Sequence, residues 1–288
     1  MNLGSAFAAA FALFLASAAS ASPIFVTFEA SGADPGAITA TRDSFRSAIG
    51  GGSIAGANGS FGGVRREINW DGVPAAQSDP NPLAANFFNV NSPRGVVLST
   101  PGTGFLVSAN AGGATPTLFG FANDFQTFSA QKLFTAVNSN ITDLLFFVPG
   151  TTIAATTTAF GLIFVDVEVA GATRMEFFDD SNTLIYSHDV LVAGNQGLSF
   201  LGATVSGGSI SRVRITSGSN TLVSNGVLGN PNDDIVVMDD FLFAEPRAQG
   251  VPEPSSLFLI SIGLLGGLVS LRCGRGSHLT KRRGGQCV

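Results

Sequence analysis

The stretch GLSFLGATVSGGSISRVRIT (Gly197–Thr216) decides how the body of this chain is read. In its second half Val213 and Ile215 alternate with Arg212, Arg214 and Thr216. That is the two-residue period of a strand with one face in a core and one in water. Its first half, GLSFLGATV, is a longer and greasier strand signal, and Gly207 and Gly208 separate the two.

Outward from this pair the same cadence continues. From Gly95 on, strand signals recur every ten to fifteen residues, divided by Gly, Asn, Asp and Pro clusters: VVLST, FLVSA, QKLFTAV, ITDLLFFV, FGLIFVDVEV, TRMEFFD, TLIYSHDV and DIVVMDDFLFAEP join the two above. Many short strands at even spacing are the signature of an all-β sandwich or barrel. FFDDSNTLIYS reads as a hairpin with Asp179 to Asn182 as its loop. Upstream, IFVTFEA (Ile24–Ala30) reads as a first strand in which Ile24, Val26 and Phe28 share a face. In DPGAITATRDSFRSAIGGG, Ile38, Phe45, Ala48 and Ile49 fall near helical spacing and Gly50 to Gly52 supply the stop, so one short amphipathic helix is expected. The Gly-rich run GGGSIAGANGSFGG lacks the flanking strand, helix and Lys-Ser/Thr pair of a phosphate cradle and reads as a flexible loop.

Composition agrees. An apolar fraction of 45% in 288 residues is ample for a core, and 12% charge with 36 Gly and 25 Phe suits strands and tight turns. Residues 22–250 carry ten basic against nineteen acidic side chains, a net of about −9. Such a body is a poor partner for nucleic acid, which requires a basic surface to replace counterions. Cys273 and Cys287 both lie in the C-terminal tail, so disulfides do not hold the body.

The two ends read as targeting. Residues 1–21 hold an apolar stretch from about Ala6 to Ala16, then small residues with Ala19-Ser20-Ala21 fitting the small-x-small cleavage rule, as in a secretory signal peptide. No Lys or Arg precedes the apolar stretch. At the other end, VPEPSSLFLISIGLLGGLVSLR sets Pro252, Glu253 and Pro254 before the uncharged run Ser255 to Leu271. Those 17 residues are near the lower limit for a helix crossing a core of about 30 Å. Arg272, Arg275, Lys281, Arg282 and Arg283 follow, and positive-inside bias places that tail in the cytoplasm and the body outside. The two prolines keep Glu253 on a stiff, extended segment beside the membrane, open to a protease.

This arrangement of motif, span and basic tail resembles the PEP-CTERM sorting signal of Gram-negative bacteria. The resemblance implies that an exosortase in the inner membrane recognises Pro252, Glu253 and Pro254, removes the anchor and passes the protein to the cell surface or the extracellular polysaccharide matrix. It covers residues 251–288, with a tail longer than is usual for the family. The domain organisation is therefore a signal peptide (1–21), an extracytoplasmic body (22–250) and a sorting segment (251–288). Within the body, the run from Phe160 to Phe243 loosely resembles galactose-binding-like jelly rolls of carbohydrate-binding modules and adhesins. The expected fold is a jelly-roll-like β-sandwich with one or two short helices, plus the N-terminal signal helix and the C-terminal transmembrane helix.

Candidate sites follow from residue chemistry. Trp70, the only Trp, stands beside Asp71 in RREINWDGVP. An indole with an adjacent carboxylate can stack and hydrogen-bond a sugar, although a single Trp in a β-protein is more often core. In DIVVMDDFLF strict alternation puts Asp239 with Ile235, Val237, Phe241 and Phe243, and Asp240 with Val236, Met238 and Leu242. Either carboxylate would thus sit among apolar neighbours and require a cation or hydrogen-bond donors. Ca²⁺, an all-oxygen cation, suits such a group, and the jelly-roll resemblance implies a structural calcium on Glu29 with Asp239 or Asp240. The alternative is that these carboxylates bond to backbone amides or Arg. Asp166 and Glu168 form a weaker pair on one expected face, with solvated surface as its plainer reading. His188 reads as a solvated loop residue.

No Gly-x-Ser-x-Gly elbow and no His-Glu-x-x-His helix occurs. The reading that fits best is an exported, non-enzymatic module that binds or organises exopolysaccharide. A secreted polysaccharide or ester hydrolase working through carboxylates, and a structural matrix protein without a specific ligand, remain as alternatives.

Overall fold

A computed structural model describes residues 22–109, 118–222 and 233–249. All the elements below belong to the unit that ends at Ala248. Among the described residues the strands are β1 (Ile24–Gly32), β2 (Ser60–Phe61), β3 (Arg65–Ile68), β4 (Val96–Ser99), β5 (Gly104–Val107), β6 (Phe134–Val137), β7 (Ile141–Phe146) and β8 (Ala155–Thr156). They continue with β9 (Ala159–Val165), β10 (Arg174–Phe178), β11 (Leu184–Asp189), β12 (Leu198–Ser206), β13 (Arg212–Thr216), β14 (Val237–Ala244) and β15 (Arg247–Ala248). Two helices accompany them, α1 (Pro35–Ile49) and the single turn α2 (Phe87–Val90).

The larger sheet runs β1-β12-β9-β14-β3-β2, with β6 joining at β14 and β5 pairing with β6; the second runs β11-β10-β13-β7-β4. The strand pairings are antiparallel. From β9 onward the chain crosses repeatedly between the sheets, β9 to β10 and β11, back to β12, over to β13 and back to β14. The expected β-sandwich is present. Every strand read from Gly95 onward is found, and the hairpin loop closes as expected: Asp179 Oδ1 accepts from the backbone N–H of Ser181 and Thr183, with Asn182 at φ 59°.

The larger sheet is buried on both faces. One face meets the second sheet through Phe134, Phe160, Phe164, Phe241 and Phe243, which pack with Leu144, Phe177, Val213 and Ile215. The other face, carrying Ile163, Val165, Phe200 and Leu242, is covered by Ile38 and Phe45 of α1 and by Phe125 of the connection between β5 and β6. A two-sided burial explains why AFGLIFV of β9 is apolar throughout instead of alternating. Space for the helix is made by Gly161 and Gly202, directly opposed in β9 and β12. A Cβ on Gly161 would lie 2.8 Å from Gly202 Cα and 2.9 Å from the Phe45 ring. Asp34 caps α1 by accepting from Ala37 N at 3.2 Å, and Gly50, at φ 92°, ends it.

Three local expectations change. β9 stops at Val165, because Asp166 turns to φ 73° and its N–H is taken by Gly197 O. In β1 only Phe28 of the expected inward set packs, against Phe45 at 5.5 Å, whereas Ile24 and Val26 are exposed. Phe25, on the opposite face, packs on Phe177 and Tyr186. The polar run starting at Arg65 supplies β3, which inserts beside β14. The expected signal helix, transmembrane helix and sorting segment lie outside the described residues. No helix among the described residues is long and apolar enough to cross a membrane.

Candidate functional site: a polar cleft over a buried carboxylate pair

Strict alternation along β14 is interrupted where it matters. Met238 pairs with Phe164 of β9, but the next pairing is Phe241 with Leu162, so one extra residue is accommodated between them. Such a bulge re-aims side chains. Val236 and Met238 before it, and Phe241 and Phe243 after it, all enter the inter-sheet core. Ile235, Val237, Leu242 and Ala244 enter the α1 layer. Parity then sends both Asp239 and Asp240 to the α1 side, where they are 0% and 5% exposed. The opposite-face assignment expected from uninterrupted alternation is thereby corrected.

The carboxylates are satisfied mainly by the chain after Phe125. Asp239 Oδ2 accepts from the backbone N–H of Phe128 at 2.6 Å and of Ser129 at 3.2 Å. Ser129 Oγ lies 3.1 Å from Asp239 Oδ1 and 2.8 Å from Asp240 Oδ1. One hydroxyl hydrogen can serve only one of these oxygens, so the other contact calls for a proton on a carboxyl group. Burial pushes both groups upward, Asp239 farther because Asp240 adds like charge; the Ser129 hydroxyl, Asp239 and the Arg42 guanidinium hold Asp240 back. The two carboxyls therefore titrate as one pair, and burial favours retention of a proton on it. Asp240 Oδ2 is 3.9 Å from Arg42 Nη1.

Arg42 sits on the sheet-facing stripe of α1, between Ile38 and Phe45. Its side chain is only 11% exposed, and its guanidinium lies 4.7 Å from the centre of the Phe128 ring. Nε is 2.8 Å from Asp43 Oδ1, yet its N–H does not point at that oxygen and Nε makes no hydrogen bond. One helical turn on, Arg46 donates from Nε and Nη2 to Glu67 Oε1 and Oε2 at 2.8 and 2.5 Å, and buried Arg65 donates to Glu67 Oε1 at 2.7 Å. Arg65 also donates to the carbonyls of Gly50 and Gly52. The Gly-rich run is thus tied down at its root and forms a wall, not the free loop expected. Gly59 is required there: it has φ 62°, and a Cβ would meet Glu67 O at 2.3 Å and Arg94 Nε at 2.6 Å.

Together these elements line a cleft of about 570 Å³ bounded by Arg42, Arg46, Asn58, Phe61, Glu67 and Asn69, with Arg94, Phe128, Ser129 and Asp240 closing it. Arg94 donates to Glu67 O at 2.8 Å and to Ser92, lies over Phe88, and has its pKa lowered to about 10 by burial and by Arg66.

The sequence-derived candidates fare unequally. Trp70 is 1% exposed, stacked on Phe134 at 4.1 Å, and donates from Nε1 to Asp239 O at 3.0 Å. Its indole has no open face, so the sugar-stacking role is corrected to core packing. Asp71 accepts from the N–H of Gln131 and Lys132, fixing the far end of the segment that Asp239 holds near Phe128. Glu29 does not join Asp239 and Asp240. β12 and β9 separate β1 from β14, roughly 14 Å at the usual strand spacing, and Glu29 instead faces His188 at 3.7 Å. The expected calcium ligand set is therefore not assembled, and no group of three metal-ligating side chains occurs among the described residues. His188 lies within β11, stacked on Tyr186, not in a loop. Asp166 is buried while Glu168 is exposed, so the two do not share a face. Burial raises the Asp166 carboxyl to about 7.

Arg42, Arg46, Glu67, Arg94 and Ser129 were not singled out from sequence. A signal existed for Arg42, a charge at an apolar-stripe position of an amphipathic helix. Arg94 and Ser129 lie in irregular segments whose partners are distant in the chain.

Pro252, Glu253, Pro254 and the basic tail lie outside the described residues, and here comparison with known proteins speaks. No curated protein and no solved structure matches this chain, so the likeness to galactose-binding-like jelly rolls finds no counterpart there. Residues 250–275 match the PEP-CTERM protein-sorting motif, which implies an exported protein sorted through an exosortase from a membrane-anchored precursor that is processed.

Proposed function

We propose that the exported β-sandwich is a non-catalytic module that binds exopolysaccharide at the surface or in the matrix of a Gram-negative bacterium, through the cleft between α1, the Gly-rich wall and the Phe128–Ser129 segment. The observation that carries this reading is the cleft itself. About 570 Å³ of open space presents Asn69, Arg42, Arg94 and Asp240 beside the half-buried rings of Phe61 and Phe128. Oriented polar groups next to aromatic surface are what a saccharide, with hydroxyls on its rim and C–H groups on its faces, requires. Export through a sorting motif supplies the setting.

A second reading, polysaccharide hydrolysis, is favoured by one feature. Asp240, a carboxyl with its pKa raised by burial, borders the same cleft as Glu67, whose carboxylate is gripped by two arginines. Two carboxyls in different environments are what acid–base hydrolysis uses.

Calorimetry of the full chain in detergent with extracted bacterial exopolysaccharide separates the readings. The binding module gives saturable heat with no new reducing ends, weakened several-fold by Asn69→Ala. New reducing ends, lost in Asp240→Asn, would establish the hydrolase. Absence of heat from folded protein would remove both and leave a structural matrix component.

A further inference from the structure

We infer that the cleft is selective for acidic saccharides, with the Arg42 guanidinium as the receptor for a sugar carboxylate and Arg94 as its second cation. This rests on the glycan-binding reading and names the class of glycan.

The body is acidic, and general electrostatics would repel a polyanion. Selectivity for an anion must therefore come from local cations with unused donors, and the cleft holds them. Arg46 is saturated, since its Nε and Nη2 engage Glu67 and its Nη1 lies 3.2 Å from Asp43 Oδ1. Arg42 differs. It donates no hydrogen bond to any described residue: Asp43 Oδ1 lies 2.8 Å from its buried Nε but off the N–H direction, and Asp240 Oδ2 stands 3.9 Å from Nη1. A guanidinium carries five N–H donors in a planar fork that matches a carboxylate, and leaving them unused in a desolvated position is costly. The Phe128 face holds that plane in place. Arg94 has no ion pair among the described residues and borders the same space; its Nε and Nη1 are used on Glu67 O and Ser92.

The carboxylates beneath leave the Arg42 donors unused because both are engaged elsewhere. Asp239 accepts from the N–H groups of Phe128 and Ser129, and Asp240 Oδ1 lies 2.8 Å from the Ser129 hydroxyl. The Arg42 fork is thereby left for an incoming anion.

The test compares galacturonic acid oligomers with the same oligomers fully methyl-esterified, titrated into the full chain in detergent at low and high salt. Esterification keeps the rings and hydroxyls and removes the charge. The acid form is expected to bind at least about tenfold more tightly, since charged hydrogen bonds contribute roughly 1.5–3 kcal/mol and 1.4 kcal/mol is tenfold. That advantage should shrink at high salt and vanish in Arg42→Gln, with Arg42→Lys intermediate because it keeps charge but loses the fork. Equal binding of acid and ester by the unmodified protein overturns the inference while glycan binding stands. Binding of neither form, together with no heat from extracted exopolysaccharide, overturns both. The acid–ester comparison on unmodified protein needs no variant to fold.

Discussion

β14 presents two different surfaces to the molecule, and the contrast is instructive. Toward the second sheet it offers Met238, Phe241 and Phe243, part of an aromatic layer in which Trp70 stacks on Phe134 and meets Phe241 edge-on at 4.9 Å. Toward α1 it offers Asp239 and Asp240 between Val237 and Leu242. The first surface is non-directional. Any ring of suitable volume can occupy it, and its contribution is burial, roughly 2 kcal/mol for each enclosed large side chain. The second is directional, because a desolvated carboxyl is tolerated only if every oxygen finds a donor. Stability is therefore concentrated in the inter-sheet layer, and the positioning of specific segments in the α1 layer.

The largest expected effect lies in the inter-sheet layer. Trp70→Ala removes the stacked indole and leaves Asp239 O without its donor, so a loss of about 3–5 kcal/mol is expected from denaturant unfolding. A loss below about 1 kcal/mol would show that the indole is not a keystone of that layer. Next comes Asp239→Ala, which strands the N–H groups of Phe128 and Ser129 and should cost about 2–3 kcal/mol. Asp239→Asn keeps an acceptor and replaces the shared proton by an amide, so it should cost clearly less. Equal losses for the two would mean that the carboxyl acts by volume alone, as an aromatic side chain does, and the contrast between the layers would fail.

The smallest effect is a pH slope. Asp166 rises from 3.8 to about 7 through burial, with Glu168, Asp124 and Asp234 adding like charge. Its folded value lies above the unfolded one, so its favourable contribution is complete below about pH 4 and is lost as pH climbs toward 7. Asp166→Asn should flatten the decline of unfolding stability across that window. An unchanged slope in chemical denaturation at pH 4, 5.5 and 7.5 would show that Asp166 ionises freely in the fold.

The regular part of the fold was readable because its causes are local. Alternation in SRVRITSG, the Asp179 to Asn182 loop and the helical stripe of Ile38, Phe45 and Ile49 each report a nearest-neighbour preference. β3 was missed because Arg65, Arg66 and Glu67 look solvated in isolation, and only the pairing of Arg65 with Glu67, that of Arg66 with Glu245 and the neighbouring β14 backbone make them a strand of the sheet. The site was missed for a related reason. A bulge shifts parity by one residue, and nothing in MDDF reports which strand will face it.

What the sequence by itself determined is the export route and the fold class: a sorting motif of fixed residues, read by its linear order, and strands at an even cadence. Tertiary structure alone decided which aspartate faces which layer, that Trp70 is core, that Glu29 meets His188, and that Arg42 is left with its donors unused. The division follows from range. A sorting motif is read in linear order and a strand reads its neighbours, whereas the cleft is assembled from segments up to about two hundred residues apart, whose meeting depends on sheet order and on one bulge.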